Sequence, residues 1–172
     1  MPHLHQLDAF AENDVFHVVV ESPRGSTLKL KWDPHLGAMS VSRPLNFGVS
    51  FPYDWGFVPS TEGPDGDPVD ALVYWDVSSY PGVVIPCRAI AVVKVDQRAS
   101  AGDTRVRNDR IIAVPTQVRR EHVGVPGDLP ARIREELNQF FLAATALEGK
   151  DARILGWAGP AEALTLIRSS AT

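Results

Sequence analysis

Two hydrophobic rhythms succeed one another along this chain, and their order limits the folds open to it. Residues 15–21 and 27–32 read as two strands. Ser22, Pro23, Arg24 and Gly25 form a turn between them, which predicts a hairpin. Further strand patterns cover residues 38–42, 71–74, 83–95 and 110–114, separated by segments rich in Gly, Pro, Asp and Ser. Only then does helical spacing appear. Asp128 offers an N-cap, Pro130 suits a first turn, and Ile133, Leu137, Phe140, Phe141, Ala144 and Leu147 recur at helical intervals up to Gly149. A shorter helix is expected from Gly159 and Pro160, turning Ala163, Leu164 and Ile167 inward. Strands followed by helices, in 172 residues without repeat or linker, predict one mainly β, α+β domain over residues 1–172 on a small, strongly bent sheet or barrel.

Composition narrows the function classes. Hydrophobic residues at 44% and charged residues at 22% match globular averages rather than disorder or a membrane class. The apolar run at 83–95 is broken by Pro86, Cys87 and Arg88 and is too short to span a bilayer. The N-terminus lacks the basic start and apolar stretch of a secretory signal, so a cytoplasmic location is expected. The lone Cys87 excludes an internal disulfide and reads as a buried small hydrophobe. A net charge of -4 without a basic cluster argues against nucleic acid as a partner. His3, His5, His17, His35 and His122 show no zinc-type spacing, and His3 and His5 are expected to be a loose terminus.

The most informative segment is GPDGDPVDALV at 63–73, where Asp65, Asp67 and Asp70 crowd a turn that feeds a strand. Carboxylates this close raise each other's pKa unless a cation neutralises them, and Mg2+ prefers hard oxygen donors. A solvated acidic turn is the competing reading, because Asp, Gly and Pro are ordinary turn residues. Calcium fits poorly: there is no glutamate at the twelfth position and no flanking helix pair.

The run Asp-x-Asp-Pro-x-Asp followed by an apolar strand resembles the signature of family I soluble inorganic pyrophosphatases, and DGDPVDALV satisfies it without a gap. The likeness extends from VVVESP near Val18, through FPYDWGFVP, KVD at 94–96 and RIIAVP at 110–115, to GWAGPAEA near Gly156. It implies a distorted five-stranded OB-like barrel with two helices packed outside. It also implies hydrolysis of inorganic pyrophosphate to two phosphates by a water activated by several Mg2+ ions. By the same resemblance, Asp65 and Asp70 would ligate metal with Glu21, Asp96 and Asn108, and Asp67 would act as general base. Lys29 and Arg43 would grip phosphate alongside Arg110 and Trp55. The alternation of Leu28, Leu30 and Trp32 with Lys29 and Lys31 sets both lysines on one strand face, where a cavity would lie. A homo-oligomer, hexameric in bacterial members, is implied too.

Several positions depart from the family pattern, and they cluster in the expected site. Lys31 stands where the family has a metal-linked glutamate, Asn108 where it has an aspartate, and Arg110 where it has lysine. Phe51 and Trp55 replace tyrosines, and Ala144 with Thr145 replaces a Tyr-Lys pair. The loop from Asp96 to Arg110 is longer than usual, so Asp103 or Asp109 is an alternative source of the missing carboxylate. Three functions are therefore compatible with the sequence: a pyrophosphatase with a rearranged site, a hydrolase of another phosphoanhydride or phosphate ester, or a non-catalytic oligomeric protein that binds phosphate or Mg2+.

Overall fold

A computed structural model describes residues 3–100, 102–117 and 123–172. In chain order the strands are β1 (Phe10–Glu12), β2 (Val15–Ser22), β3 (Leu28–Asp33), β4 (Ala38–Pro44), β5 (Asp54–Phe57), β6 (Asp70–Val73), β7 (Val84–Arg98), β8 (Arg105–Arg107) and β9 (Arg110–Pro115). Helix α1 (Ala131–Thr145), strand β10 (Arg153–Ala158) and helix α2 (Pro160–Ser169) complete the chain.

Strands β2, β5, β6, β9 and β7 bond in that order, and β7 returns to pair with β2, so five strands close on themselves. Closure removes the open edges a flat sheet would leave. The pairings are antiparallel except β6 with β9, which run parallel. Irregular registers at Val20/Ser22 and Ala89/Ala91 distort the ring. The fifteen-residue β7 makes closure possible: its first half pairs with β2 and β9, and its second half continues outward to β8 and β10. At the β2–β5 contact a Cβ on Gly56 would lie 1.9 Å from the Val19 carbonyl oxygen, so only glycine permits this approach.

Both faces of the ring strands are covered, and their sequences therefore read as continuous apolar runs. Ala71, Val73, Ile111 and Ala113 join one cluster with Ala163 and Ile167 of α2. Leu72, Ile112, Val93 and Val95 join a second with Leu137 and Phe141 of α1. Cys87 is fully buried in the first cluster, and burial pushes its thiol pKa well above the ordinary range, leaving it inert. Truncating a buried ring such as Phe141 to alanine costs about 3–5 kcal/mol in such cores.

The predicted hairpin between residues 15–21 and 27–32 does not form. Strand β2 is saturated by β5 and β7, while β3 pairs with β4 in a separate two-stranded sheet. The nearly unbroken burial of β2 requires partners on both edges, which the half-buried β3 does not supply. Side chains tie β3 to β2 instead: Leu30 N–H donates to Ser22 Oγ at 2.9 Å, and Trp32 N–H donates to Glu21 Oε1 at 2.9 Å.

Asp128 does not cap α1 either. Its carboxylate accepts from the Gly124 and Val125 amides at 2.9 and 3.1 Å, and Pro130 occupies the cap position. The helix stops at Thr145, so Leu147 is 79% exposed rather than inward. Helix α2 starts at Pro160 behind Gly159, with Ala163 and Ile167 buried. His5 is not loose: its ring meets Phe57 edge-on at 4.7 Å, and its carbonyl accepts from Ser60 N–H at 2.8 Å. His122 lies outside the described residues.

Candidate active site

The acidic segment is a clamped turn. Thr61 Oγ1 donates to the Val58 carbonyl at 2.6 Å and accepts from Val69 N–H at 3.0 Å, while Val58 N–H donates to the Val69 carbonyl at 2.9 Å. Within that clamp Gly63 N–H donates to the Asp67 carbonyl at 2.7 Å, and Gly66 takes a φ of 83° in the left-handed region that glycine adopts without strain. Asp65 and Asp67 consequently stand on an exposed tip, and Asp70 opens β6.

The parallel register of β6 and β9 sets Asp70 beside Arg110. Burial raises the Asp70 carboxyl above its ordinary range, opposed by the charges of Arg110 and Lys29. Burial likewise lowers the Arg110 pKa, and Asp70 counters it. The Arg110 guanidinium lies over the Trp55 and Phe141 rings at 5.9 and 5.4 Å and donates to the Asn108 carbonyl. Phe51, Phe140, Phe141 and Trp55 form an aromatic floor with centroid spacings of 5.4–6.1 Å.

The β3–β4 hairpin forms the facing wall. Lys29 and Arg43 are direct cross-strand partners, so their side chains share a face. Arg43 Nη2 donates to the Ala144 carbonyl at 2.6 Å, Arg43 Nη1 lies 3.5 Å from Glu148 Oε1, and Asn46 Nδ2 donates to the Ala143 carbonyl at 3.0 Å. These side chains bond the last carbonyls of α1 and fix the helix against the hairpin. Lys31 Nζ donates to Asp67 Oδ1 at 2.8 Å, across from the hairpin to the acidic turn. Burial pulls the Lys31 pKa down, but the hydrogen bond and charge of Asp67, joined by the charges of Glu21 and Asp70, raise it on balance.

Together these elements enclose a cleft of about 480 Å³. Of the residues singled out in the sequence, Lys29, Lys31, Arg43, Phe51, Trp55, Asp67, Asp70, Asn108, Arg110, Ala144 and Thr145 line it. Asp65 lies outside and borders a smaller depression with Asn108 and Asp109. Glu21 is 5% exposed behind the wall, where burial raises its pKa from 4.5 to about 7, with Asp70 adding to the rise and Lys29 and Lys31 opposing it. Asp96 is paired with Arg105, and Asp109 accepts from Val95 N–H at 2.9 Å and pairs with Arg107 at 2.7 Å. Asp103 is exposed and lines neither hollow.

Cleft residues that escaped the sequence reading include Leu45, Gln97, Glu148 and Lys150. Gln97, 1% exposed with Oε1 unpartnered, lines the cleft where Asp96 does not. The period-two pattern of β7 could have found it, because Val93, Val95 and Gln97 share a face that Asp96 leaves. Lys150, from the turn after α1, lines the cleft beyond Ala144 and Thr145, and its carbonyl is pinned by Arg98 N–H at 2.7 Å. No local periodicity points to it.

The sequence profile described as inorganic pyrophosphatase matches residues 18–172. The chain belongs to the inorganic pyrophosphatase family. An inorganic pyrophosphatase of Thermus thermophilus is 36% identical over 159 residues, covering 91% of this chain and 88% of that protein. One from Rickettsia prowazekii is 34% identical over 170 residues, covering 96% and 95%. The crystal structure of the inorganic pyrophosphatase from Thermus thermophilus superposes with a TM-score of 0.89 at 32% identity, covering 98% of this chain and 97% of that one. The five-stranded closed ring with two outer helices is thus this family's OB-like fold.

Within this family member the cleft is net cationic among the described residues, with Lys29, Lys31, Arg43, Arg110 and Lys150 against Asp67, Asp70 and Glu148. That balance suits a polyanion. Among the described residues no three histidine, cysteine, aspartate or glutamate groups converge to enclose a metal ion. The donor chemistry still fits Mg2+, which binds through one or two carboxylates, several waters and substrate phosphates rather than an all-protein cage. The desolvated Asp70 and Glu21 carboxylates supply negative charge that such an ion would compensate.

Proposed function

We propose that this chain hydrolyses inorganic pyrophosphate to two phosphates in a Mg2+-dependent reaction. The observation that carries the reading is one cleft in which Lys29, Lys31, Arg43, Arg110 and Lys150 line the same hollow as the carboxylates Asp67 and Asp70. Lys29 and Arg43, fixed as cross-strand partners, grip one phosphoryl group from the hairpin wall. Arg110, held flat by Trp55 and Phe141, meets the other from the barrel wall. Lys150 adds a point charge where Ala144 and Thr145 are too short to reach.

Asp70 and Asp65 would hold Mg2+, several ions in all, with Glu21 behind them and Asn108 offering a neutral oxygen. When bound, Mg2+ neutralises phosphoryl charge and acidifies water for attack. Asp96 is left out of the ligand set because Arg105 engages its carboxylate. Asp67 accepts the proton of the attacking water, Lys29 and Arg43 hold one phosphoryl group, and Arg110 stabilises charge on the other.

The same proposal includes a homo-oligomer, a hexamer by family likeness; the fully exposed Phe47 and the 60% exposed Val41 are suited to a subunit contact. It also includes a cytoplasmic location, with which the lone buried Cys87 is compatible. Among the described residues no helix is long and apolar enough to cross a membrane.

Phosphate release is measured with magnesium pyrophosphate, nucleoside triphosphates and sugar phosphates. Turnover of pyrophosphate, abolished in Asp67→Asn, is expected. Release from another compound alone, or full activity in that variant, overturns the assignment.

A further inference from the structure

The Lys31–Asp67 contact has a bearing on how many cations the cleft can load. Of the three carboxylates that line it, Glu148 faces Arg43 at 3.5 Å and Asp67 faces Lys31 at 2.8 Å, while Asp70 has no direct ion pair among the described residues. Two further lining positions that could carry negative charge, Gln97 and Asn108, are neutral amides. The cleft therefore holds much less uncompensated carboxylate than its aspartate motif suggests. A cation is already in place beside Asp67, and it belongs to the protein.

We infer that Lys31 is a resident counter-cation of this site: its ammonium occupies the Asp67 carboxylate in competition with a divalent ion, so that free protein loads fewer ions, or loads them more weakly, than its carboxylates would otherwise allow. The geometry is local to Lys31. It sits two residues beyond Lys29 on the same strand face, and of the two only Lys31 donates to Asp67. Both partners are about half exposed, with side-chain exposures of 43% and 55%. The pair is therefore weak enough for a divalent ion or an incoming polyanion to part it. Polyanion binding would draw the ammonium off Asp67 toward phosphoryl oxygen, freeing the carboxylate at the moment the substrate arrives. Lys31 then couples substrate entry to release of the acid that the hydrolytic reading assigns as base, and the inference rests on that reading.

Titration calorimetry with MgCl2 in the absence of phosphate tests this, with Mn2+ counted independently by electron paramagnetic resonance. Lys31→Ala is expected to bind Mg2+ about tenfold more tightly, or to take up an additional ion, because a competing positive charge at contact distance is removed. Lys31→Arg, which keeps the charge within reach of Asp67, is expected to restore wild-type binding. Equal affinity and stoichiometry in wild type and Lys31→Ala overturns the inference while leaving the hydrolase reading intact. Absence of ion binding in every variant at high magnesium overturns both. Circular dichroism of each variant separates these outcomes from misfolding.

Discussion

Glu21 gives the sharpest test of the electrostatics behind the cleft. Its carboxylate is 5% exposed, accepts one hydrogen bond from Trp32 N–H and lies near Asp70. Burial, reinforced by Asp70, raises its pKa from 4.5 to about 7 in the folded, metal-free protein. Below pH 4.5 the group is neutral in both states, and its contribution to stability is fully present. As pH rises from 4.5 to about 7 the unfolded chain loses the proton while the folded chain keeps it, so that contribution is lost progressively. At about 1.4 kcal/mol per pKa unit the loss reaches about 3 kcal/mol above pH 7. Glu21→Gln retains an oxygen for Trp32 N–H and cannot ionise. Urea unfolding in EDTA at several pH values between 4.5 and 8 should show wild type and variant nearly matched at the acid end. The variant should pull ahead by up to about 3 kcal/mol at the alkaline end. Carboxylates remote from Glu21 titrate alike in both proteins and cancel in the difference. A wild-type-to-variant gap that stays constant across this range would refute the reasoning.

Two further outcomes follow from the packing and the cleft. Gly56→Ala places a methyl 1.9 Å from the Val19 carbonyl oxygen, so it should cost about 3 kcal/mol or more in urea unfolding, and a loss below 1 kcal/mol would mean the β2–β5 contact gives way easily. Lys150→Ala should raise KM for pyrophosphate about tenfold with kcat little changed, and Lys150→Arg should recover most of it; an unaltered KM would remove Lys150 from the substrate-binding set.

Local chemistry was readable where neighbours along the chain decide the outcome. Alternation in residues 27–32 set Lys29 and Lys31 on one face, and both line the cleft. Pro160 behind Gly159 marked the start of α2, because a missing amide and a fixed φ suit a first helical turn. The carboxylate-rich turn was evident from its residue types alone, and Gly66 and Thr61 show how such a turn is held. Residues in these segments meet partners a few positions away, so period and turn chemistry suffice.

Long-range closure decided the rest. Residue period says that β2 is a strand, but not that it bonds β5 and β7 while β3 pairs away with β4. Alternation along β7 groups Gln97 with Val93 and Val95 and apart from Asp96, but only the register of β7 in the closed ring turns that face toward the hollow. Lys150 arrives at the cleft because Arg43 and Asn46 hold the end of α1 against the hairpin and Arg98 N–H holds the Lys150 carbonyl. Lys31 meets Asp67 across 36 positions. The amino-acid sequence by itself determined the chemical groups, the local elements and the family; the tertiary structure decided which groups face one another, because register and ring closure are set by burial summed over the whole chain rather than by any one segment.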